Sequence, residues 1–458
     1  MGCVGNRPEV MSSSAQERYL LRKLALCFRP QQVNGFRVVG ISSGTSMDAI
    51  DVAVAELALN RDTVSLRPLG SDAMPYPPDL RRKLSAVVAA GDCSARLLCE
   101  LDTRIGQCFA EAATRVIETR AGGRADLIAS LGQTVYHWID TAEEPAADSP
   151  RRAGRCLGTL QLGCPSWIAE ATGLPVVADL RTRDVAAGGH GAPLAGLFDQ
   201  YWIAGLSARR GEEPREGAIG VLNLGGIANL TVVDAGRSIA YDIGPANALL
   251  DAAATEFDPA GPGHDVDGRL AAQGSPDPEF LGVLLADPYY VAAPPKSTGK
   301  EHFGREYLRA QLANRPDLSP ADVLATLVEL TAETIGAAVH RHGVGRVVVS
   351  GGGAHNPTLL RSLRARLAPA QVTTSDSLGL PGDDKEAYLA ATIGFLSWHG
   401  LPGNLPAATG AAGSRVLGSI TPGREPLRQP VPHDTSVHAL RIDHDNTRTD
   451  SGPAGDAH

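Results

Sequence analysis

The sequence predicts an α/β protein made of two similar domains, and three observations support this prediction. Residues 38–57 read as a strand, a polar turn around Gly44 and a second strand. Residues 218–233 repeat this pattern about 180 residues further along the chain, around Gly225 and Gly226. At 458 residues, the chain is also too long for one ordinary hydrophobic core. We therefore expect a duplicated architecture.

The composition excludes several classes of protein. A formal net charge of −9 leaves no basic surplus for binding nucleic acid. Seven cysteines form no C-x-x-C pair, which argues against a disulfide framework or a structural zinc site. No apolar run approaches the ~20 residues needed to cross a bilayer. We expect a cytoplasmic protein with neither nucleic-acid nor membrane partners.

Changes in composition predict the domain boundaries. Residues 1–34 read as a partly disordered extension, and residues 35–206 as the first domain. The charged stretch SARRGEEPREG links it to a second domain over residues 218–423. Residues 424–458 are rich in Pro, His, Asp and Thr without apolar periodicity, which predicts a disordered tail.

The first turn has the composition of an anion site. Gly44 is surrounded by hydroxyl side chains at positions 42, 43, 45 and 46, so several N–H and O–H donors can converge there. A ligand-free, Ser/Gly-rich hairpin is the alternative. The second hairpin favours the functional interpretation, because two such turns facing one another could hold the phosphates of a nucleotide.

A triple glycine follows another buried strand. Residues 346–350 lead directly into Gly351, Gly352 and Gly353, and a helix begins near Thr358. This arrangement favours close approach of the backbone to a flat or phosphorylated ligand at a helix N-terminus. The spacing is not G-x-G-x-x-G, so the sequence does not predict a dinucleotide site.

Four further stretches carry polar candidates. Asp242 ends a strand and could act as a base in a cleft; helix capping is the alternative, although Asn247 is the more natural cap. Residues 181–193 combine two arginines and two aspartates with small residues, as a polar pocket or a solvated loop would. Gln133 follows a buried strand, and Glu386 lies in the first turn of a predicted helix, where acids also favour the helix dipole.

Taken in order, these stretches resemble the anhydro-N-acetylmuramic acid kinases over roughly residues 37–423. The landmarks are SGTSMDAID, GQTVYH, RTRDVAAGGHGAPL, LNLGGIAN, DIGPAN, PPKSTGKE, SGGGAHNP, DDKEA and GLPGNLPAATGA. The resemblance implies two duplicated ribonuclease-H-like domains of the actin-like ATPase fold, which flank an active-site cleft. It also implies ATP and Mg²⁺ as cofactors and a homodimer.

The resemblance assigns roles to individual residues. Asp242 becomes the catalytic base. The residues expected to bind the nucleotide are Gly44, Thr45, Ser46, Met47, Asp48, Ala49, Ile50, Asp51, Gly225, Gly226, Gly351, Gly352 and Gly353. The residues expected to bind the sugar are Gln133, Arg183, Asp184 and Glu386. The metal ligands are not assigned.

The implied reaction is ATP-dependent opening of the 1,6-anhydro ring with phosphorylation of O6, during recycling of the cell wall. A glycosidase uses two carboxyl groups for such a bond. Here the γ-phosphoryl group of ATP could capture O6, so one carboxylate would suffice.

The chain departs from the family pattern at Leu131, where members usually carry His, and at Ile243, Ala246 and His190. Cys164 and Pro165 also follow LQLG where a polar residue is common. The alternatives are a kinase for another anhydro sugar such as levoglucosan, or a non-catalytic nucleotide-binding module.

Overall fold

The computed structural model describes residues 35–44, 47, 49–140, 155–209, 217–234, 237–294, 296, 298–299, 302–313, 315–431 and 436–443. All of these residues belong to one compact unit that begins at Gly35. The predicted extension, residues 1–34, lies outside the described residues.

The strands, in chain order, are β1 (Phe36–Ser43), β2 (Ala49–Asn60), β3 (Thr63–Pro75), β4 (Leu127–Asp140), β5 (Arg155–Leu162), β6 (Val176–Ala178), β7 (Ala218–Leu224), β8 (Ile227–Asp234), β9 (Arg237–Pro245), β10 (Val344–Ser350), β11 (Gln371–Thr374), β12 (Ser419–Thr421) and β13 (Ala439–Ile442). The helices are α1 (Pro78–Ala90), α2 (Ala95–Arg120), α3 (Pro165–Thr172), α4 (Thr182–Ala186), α5 (Ala195–Arg209), α6 (Asn247–Phe257), α7 (Pro278–Leu285), α8 (Arg305–Leu312), α9 (Pro320–Arg341), α10 (Pro357–Leu367), α11 (Lys385–Trp398) and α12 (Pro406–Thr409).

The two sheets share one topology. In the first sheet, β3, β2, β1, β4 and β6 lie side by side, and in the second sheet the order is β9, β8, β7, β10 and β11. In each of these orders, the first three strands alternate in direction, and the fourth and fifth run parallel to the third. Because both order and direction repeat, the predicted duplicated α/β fold is confirmed.

Helices cover both faces of the first sheet. Helix α2 packs on one face, where Ile105, Phe109 and Val116 are buried. Helix α11 packs on the other, so closely that a methyl group on Gly40 of β1 would collide with the carbonyl oxygen of Ala387. This contact fixes the position of Glu386, at the start of α11, relative to the first hairpin.

Helix α9 is the core helix of the second half. It begins at a cap in which Ser319 accepts from the N–H of Asp322. It is long and apolar enough to cross a membrane, but 78% of its most apolar window is buried inside the protein. Core helices pass the same test of length and composition, so α9 is weak evidence for a membrane span.

The predicted boundaries after residue 217 need correction. Helix α11 and strand β12 follow the second half in sequence, yet they pack on the first sheet, where β12 pairs with β6. Residues 439–442 of the predicted disordered tail form β13, which pairs in parallel with β3. The tail prediction was wrong there. Leu440 and Ile442 are buried apolar side chains, but two such residues are too few to show in the composition of the tail.

Candidate functional site

The first hairpin turn lies between β1 and β2. The N–H of Met47 donates to the carbonyl oxygen of Gly44 over 3.1 Å, and Met47 adopts a left-handed φ of 54°. Thr45, Ser46 and Asp48, three of the predicted nucleotide contacts, lie outside the described residues. The side chain of Ile50 is fully buried in the core, so this residue could reach a nucleotide only through its backbone.

Gln133 supports this turn from below. Its Oε1 accepts from the Ser43 hydroxyl over 2.6 Å and from the Tyr76 hydroxyl over 3.3 Å, while its Nε2 donates to the Gly44 carbonyl over 3.4 Å. Burial raises the pKa of Tyr76, which keeps its phenol protonated as a donor. Because Gln133 has no exposed surface, its side chain positions the turn in this conformation, and its predicted sugar contact stays a prediction.

Glu386 contacts the first hairpin. Its Oε2 accepts from the Ser42 hydroxyl over 3.0 Å, and the residue is otherwise exposed. Burial lowers the pKa of the Arg181 guanidinium, and the negative charges of Glu386 and Asp184 oppose that shift. Arginine remains a cation over the whole accessible pH range. The site therefore places a cation and a carboxylate near one another.

Arg181 was not among the predicted site residues. Its Nη1 donates to the Gly191 carbonyl over 2.8 Å, and its Nε is buried without a hydrogen-bond partner among the described residues. Arg183, the predicted sugar contact, is exposed. The two arginines lie two positions apart beside the short helix α4, where successive residues turn by about 100°, so their side chains take opposite directions. The sequence pattern could not say which one points inward.

Asp184, another predicted sugar contact, is buried. The carboxylate has no exposed surface, and its Oδ1 accepts from Asn404 over 2.6 Å and from Thr409 over 2.7 Å. Its Oδ2 accepts from the N–H of Gly191 over 2.8 Å. Asp184 thus ties α4 to the segments that follow α11, and its predicted sugar contact stays a prediction.

The second hairpin closes the N-terminus of α6. The carbonyl of Gly226 accepts from the N–H groups of Ala246 and Ala248, and that of Gly225 accepts from the N–H of Asn247. The expectation that Asn247 caps this helix was wrong: it is the first helical residue, and its side-chain amide donates to the Leu224 carbonyl over 3.2 Å. Turn carbonyls, rather than a side chain, satisfy the helix donors.

The triple glycine packs against that hairpin. Gly351 has a φ of 84°, and a Cβ there would lie 2.5 Å from Asn223 Oδ1. A Cβ on Gly353 would lie 2.7 Å from Leu224 Cβ, whereas Gly352 is exposed and its nearest such neighbour is 4.0 Å away. Gly351 and Gly353 are therefore required by packing, and Gly352 alone presents an open backbone surface.

Asp242 lies near the end of β9 and is half-buried. Its Oδ1 accepts from Asn229 Nδ2 over 2.9 Å, and its Oδ2 accepts from the N–H of Thr298 over 3.1 Å. The hydroxyl of Tyr289 donates to its carbonyl oxygen over 2.7 Å. The predicted base is thus a carboxylate held in a fixed orientation by two separate segments.

Direct contacts link most of these parts. The N–H of Gly351 donates to the Gly382 carbonyl over 3.3 Å, and His355 contacts Asp383 over 3.0 Å, just ahead of Glu386. Through the second hairpin, the triple glycine also reaches the start of α6, which begins two residues after the end of β9, the strand that carries Asp242. The structure therefore connects the predicted nucleotide turns with the loop that carries Glu386.

The described residues include no group of three or more His, Cys, Asp or Glu side chains that could hold a metal ion. Mg²⁺ in kinases is commonly held by phosphate oxygens of the substrate with one or two carboxylates. The exposed carboxylate of Glu386, beside the first hairpin, fits that mode of binding.

The solved structures that match this chain have low sequence identity and low TM-scores. The activator of the 2-hydroxyisocaproyl-CoA dehydratase from Clostridium difficile, with bound ADPNP, is 12% identical with a TM-score of 0.36, covering 79% of this chain and 94% of that one. A ROK family glucokinase from Streptomyces griseus is 14% identical with a TM-score of 0.33, covering 78% of this chain and 99% of that one.

Relatives in sequence are much closer. An anhydro-N-acetylmuramic acid kinase from Streptomyces coelicolor is 49% identical over 407 residues, or 89% of this chain and 99% of the relative. Those of Streptomyces avermitilis and Rhodococcus erythropolis are 50% and 45% identical, covering 89% of this chain and 100% and 99% of the relatives. The family model for anhydro-N-acetylmuramic acid kinase matches residues 36–423. The chain belongs to the anhydro-N-acetylmuramic acid kinase family.

Proposed function

We propose that the protein uses ATP and water to convert 1,6-anhydro-N-acetylmuramic acid to N-acetylmuramic acid 6-phosphate, a step in peptidoglycan recycling. The observation that carries this proposal is the oriented carboxylate of Asp242 in a chain of this family. A base must lie within hydrogen-bond reach of the proton that it removes, and a fixed carboxylate beside the predicted nucleotide turn meets that need.

The reaction balances with one carboxylate. Asp242 takes a proton from water as the water oxygen attacks C1, and the bond between C1 and O6 breaks. O6 keeps the electron pair of that bond and attacks the γ-phosphorus of ATP. The bond between the γ-phosphorus and the bridging oxygen breaks, and ADP leaves with its electron pair, while Asp242 later releases its proton to solvent. Mg²⁺, when bound, neutralises phosphate charge during the transfer. Glu386, held by Ser42, lies where it can orient sugar hydroxyls beside the phosphate turn.

Arg181 supports an acidic sugar as the substrate. The lactyl group of a muramic acid is a carboxylate, and a guanidinium fork matches a carboxylate in charge and shape. Levoglucosan has no such group and would form no ion pair with this cation. The departure at Leu131 does not weaken the proposal, because its side chain is only 5% exposed and packs in the core.

Release of ADP by the purified protein with Mg-ATP tests the proposal, with either anhydro-N-acetylmuramic acid or levoglucosan as the acceptor. We expect turnover with the muramic acid alone. Turnover with levoglucosan alone would keep the mechanism and replace the substrate. Silence with both sugars, while ATP still binds, would favour a non-catalytic nucleotide-binding module.

A matched pair of variants tests the carboxylate anchor. Arg181→Met should raise KM for the muramic acid about tenfold or more, since a hydrogen-bonded charge contributes about 1.5–3 kcal/mol. Arg183→Met, two residues away and exposed, should leave KM unchanged. The reverse pattern would return the sugar contact to Arg183.

We further propose that the protein is a cytoplasmic homodimer, as the family resemblance implies. Light scattering coupled to gel filtration measures the mass of the particle directly. A mass near 48 kDa, that of one 47.8 kDa chain, would contradict the dimer.

A further inference from the structure

Asp242 is held by two segments that are far apart in sequence. Asn229 lies directly opposite Asp242 in the antiparallel ladder of β8 and β9, beside a bulge that follows Ala228. Thr298 belongs to the loop between α7 and α8. Each segment supplies one donor to one carboxylate oxygen, so both oxygens are fixed independently.

The loop is itself tied to the strand that carries Asp242. The N–H of Asp242 donates to the Lys296 carbonyl over 3.2 Å, and Lys296 Nζ donates to the Tyr289 carbonyl over 2.9 Å. The same ammonium lies 4.4 Å from the centroid of the Tyr289 ring, whose hydroxyl returns to the Asp242 carbonyl. This loop therefore holds the backbone around Asp242, while Asn229, in the neighbouring strand β8, holds the Asp242 side chain.

These donors fix the direction in which the Asp242 carboxylate points. A base must lie within hydrogen-bond reach of the proton that it removes, so the orientation of the carboxylate decides whether it can reach the water. Asn229 is the one side chain of the pair that substitution can remove, since Thr298 contributes its backbone.

We propose that Asn229 is a positioning residue for the catalytic base: its amide fixes Oδ1 of Asp242 and so orients the carboxylate toward the attacking water. The inference rests on the proposed function, since it assigns Asn229 a role in that reaction. Nothing in the mechanism requires Asn229 to contact the sugar or ATP.

Asn229→Leu keeps the approximate size of the side chain and removes the donor. We expect kcat to fall at least about tenfold, because the lost bond is to a charged group. KM for the sugar should stay within about twofold of the wild-type value, because only the orientation of the base changes. The affinity for ATP, measured by calorimetry, should not change. A wild-type kcat, or a fall in kcat that is matched by weaker binding of sugar and ATP, would overturn the proposal.

Asn229→Asp is a second variant for the case in which the leucine variant fails to fold. It keeps the shape but replaces the amide donor with a carboxylate, which cannot donate a hydrogen bond when ionised, so kcat should fall at least as far. Thr231→Val is the matched control, two residues along the same face of β8, where the buried hydroxyl has no hydrogen-bond partner among the described residues. Its kcat should equal that of the wild type; an equal fall in kcat in this control would also overturn the proposal.

Failure of this inference can be told apart from failure of the proposed function. If the wild type does not release ADP with either sugar, the proposed function is wrong and Asn229 has no base to position. If the wild type is active and the Asn229 variants keep its kcat, only the positioning role is wrong.

Discussion

At the scale of single residues, Asp242 is the side chain on which the proposed chemistry depends most. Asp242→Asn keeps the size and one acceptor oxygen but removes the negative charge that would receive the proton. We expect kcat to fall by about 10²–10⁴, the usual contribution of general base catalysis, with the affinity for ATP retained. Single-turnover formation of sugar phosphate, together with calorimetry of ATP binding, measures both. Near-wild-type turnover would remove Asp242 from the mechanism.

His137 is a second residue whose environment makes a measurable prediction. Burial, together with the charges of Arg181 and His190, lowers its pKa from 6.5 to about 4, and its Nδ1 lies 3.0 Å from the Thr159 hydroxyl. At pH values between about 4 and 6.5, the unfolded chain therefore binds a proton at His137 that the folded chain does not bind. The free energy of unfolding should fall as the pH drops from about 6.5 to about 4.

His137→Asn should flatten that part of the stability curve, measured by urea denaturation at several pH values. His264→Asn, at an exposed histidine, is the control and should leave the slope as in the wild type. A slope that persists unchanged in His137→Asn would assign the effect to other groups.

At the scale of elements, the contact between β1 and α11 positions the site. Gly40 lies against the backbone of Ala387, one residue beyond Glu386, so a side chain at position 40 must push α11 away from the sheet. Gly40→Ala should lower the free energy of unfolding by about 1–3 kcal/mol, as overpacked cores do, and should raise KM for the sugar. Denaturant titration and initial-rate kinetics measure the two effects.

Gly345→Ala is a suitable control for Gly40→Ala. Gly345 also lies in a strand, β10, but a Cβ there would meet no atom within 4 Å. Both stability and KM should stay close to the wild-type values. Equal effects from the two substitutions would point to a general loss of glycine from strands rather than to the displacement of α11.

At the scale of the whole molecule, the chain ends by returning to its first sheet. Val437, Leu440 and Ile442 are at most 5% exposed and belong to the core cluster shared with α11. Helix α5 approaches this segment so closely that a methyl group on Gly205 would collide with the Leu440 carbonyl oxygen.

Ending the chain after Val431 should therefore lower the free energy of unfolding by about 5 kcal/mol, since each buried aliphatic side chain contributes about 1.5–3 kcal/mol. Ending it after Asp443 keeps β13 and is the control, with the stability of the full chain. Thermal denaturation compares the two proteins. If both truncated chains melt together with the full one, β13 adds nothing to the fold.

The sequence by itself determined the duplicated fold, the family and the cluster of turns around the site. Local patterns carry this information. Turn residues directly follow a strand at Gly44, at Gly225 and Gly226, and at Gly351, so each turn can be recognised from consecutive residues. The place of Asp242 at a strand end followed from the same local reasoning.

Only the tertiary structure decided which polar side chains are buried. Arg181 Nε is buried and Arg183 is exposed, while Asp184 and Gln133 have no exposed surface, because their partners Asn404, Thr409 and Ser43 come from distant segments. The tail strand β13 was hidden for the same reason: four residues acquire a structure only against β3 and α5. Contacts between residues far apart in the chain leave no periodic signal, and the free energy that selects them exists only when the core assembles.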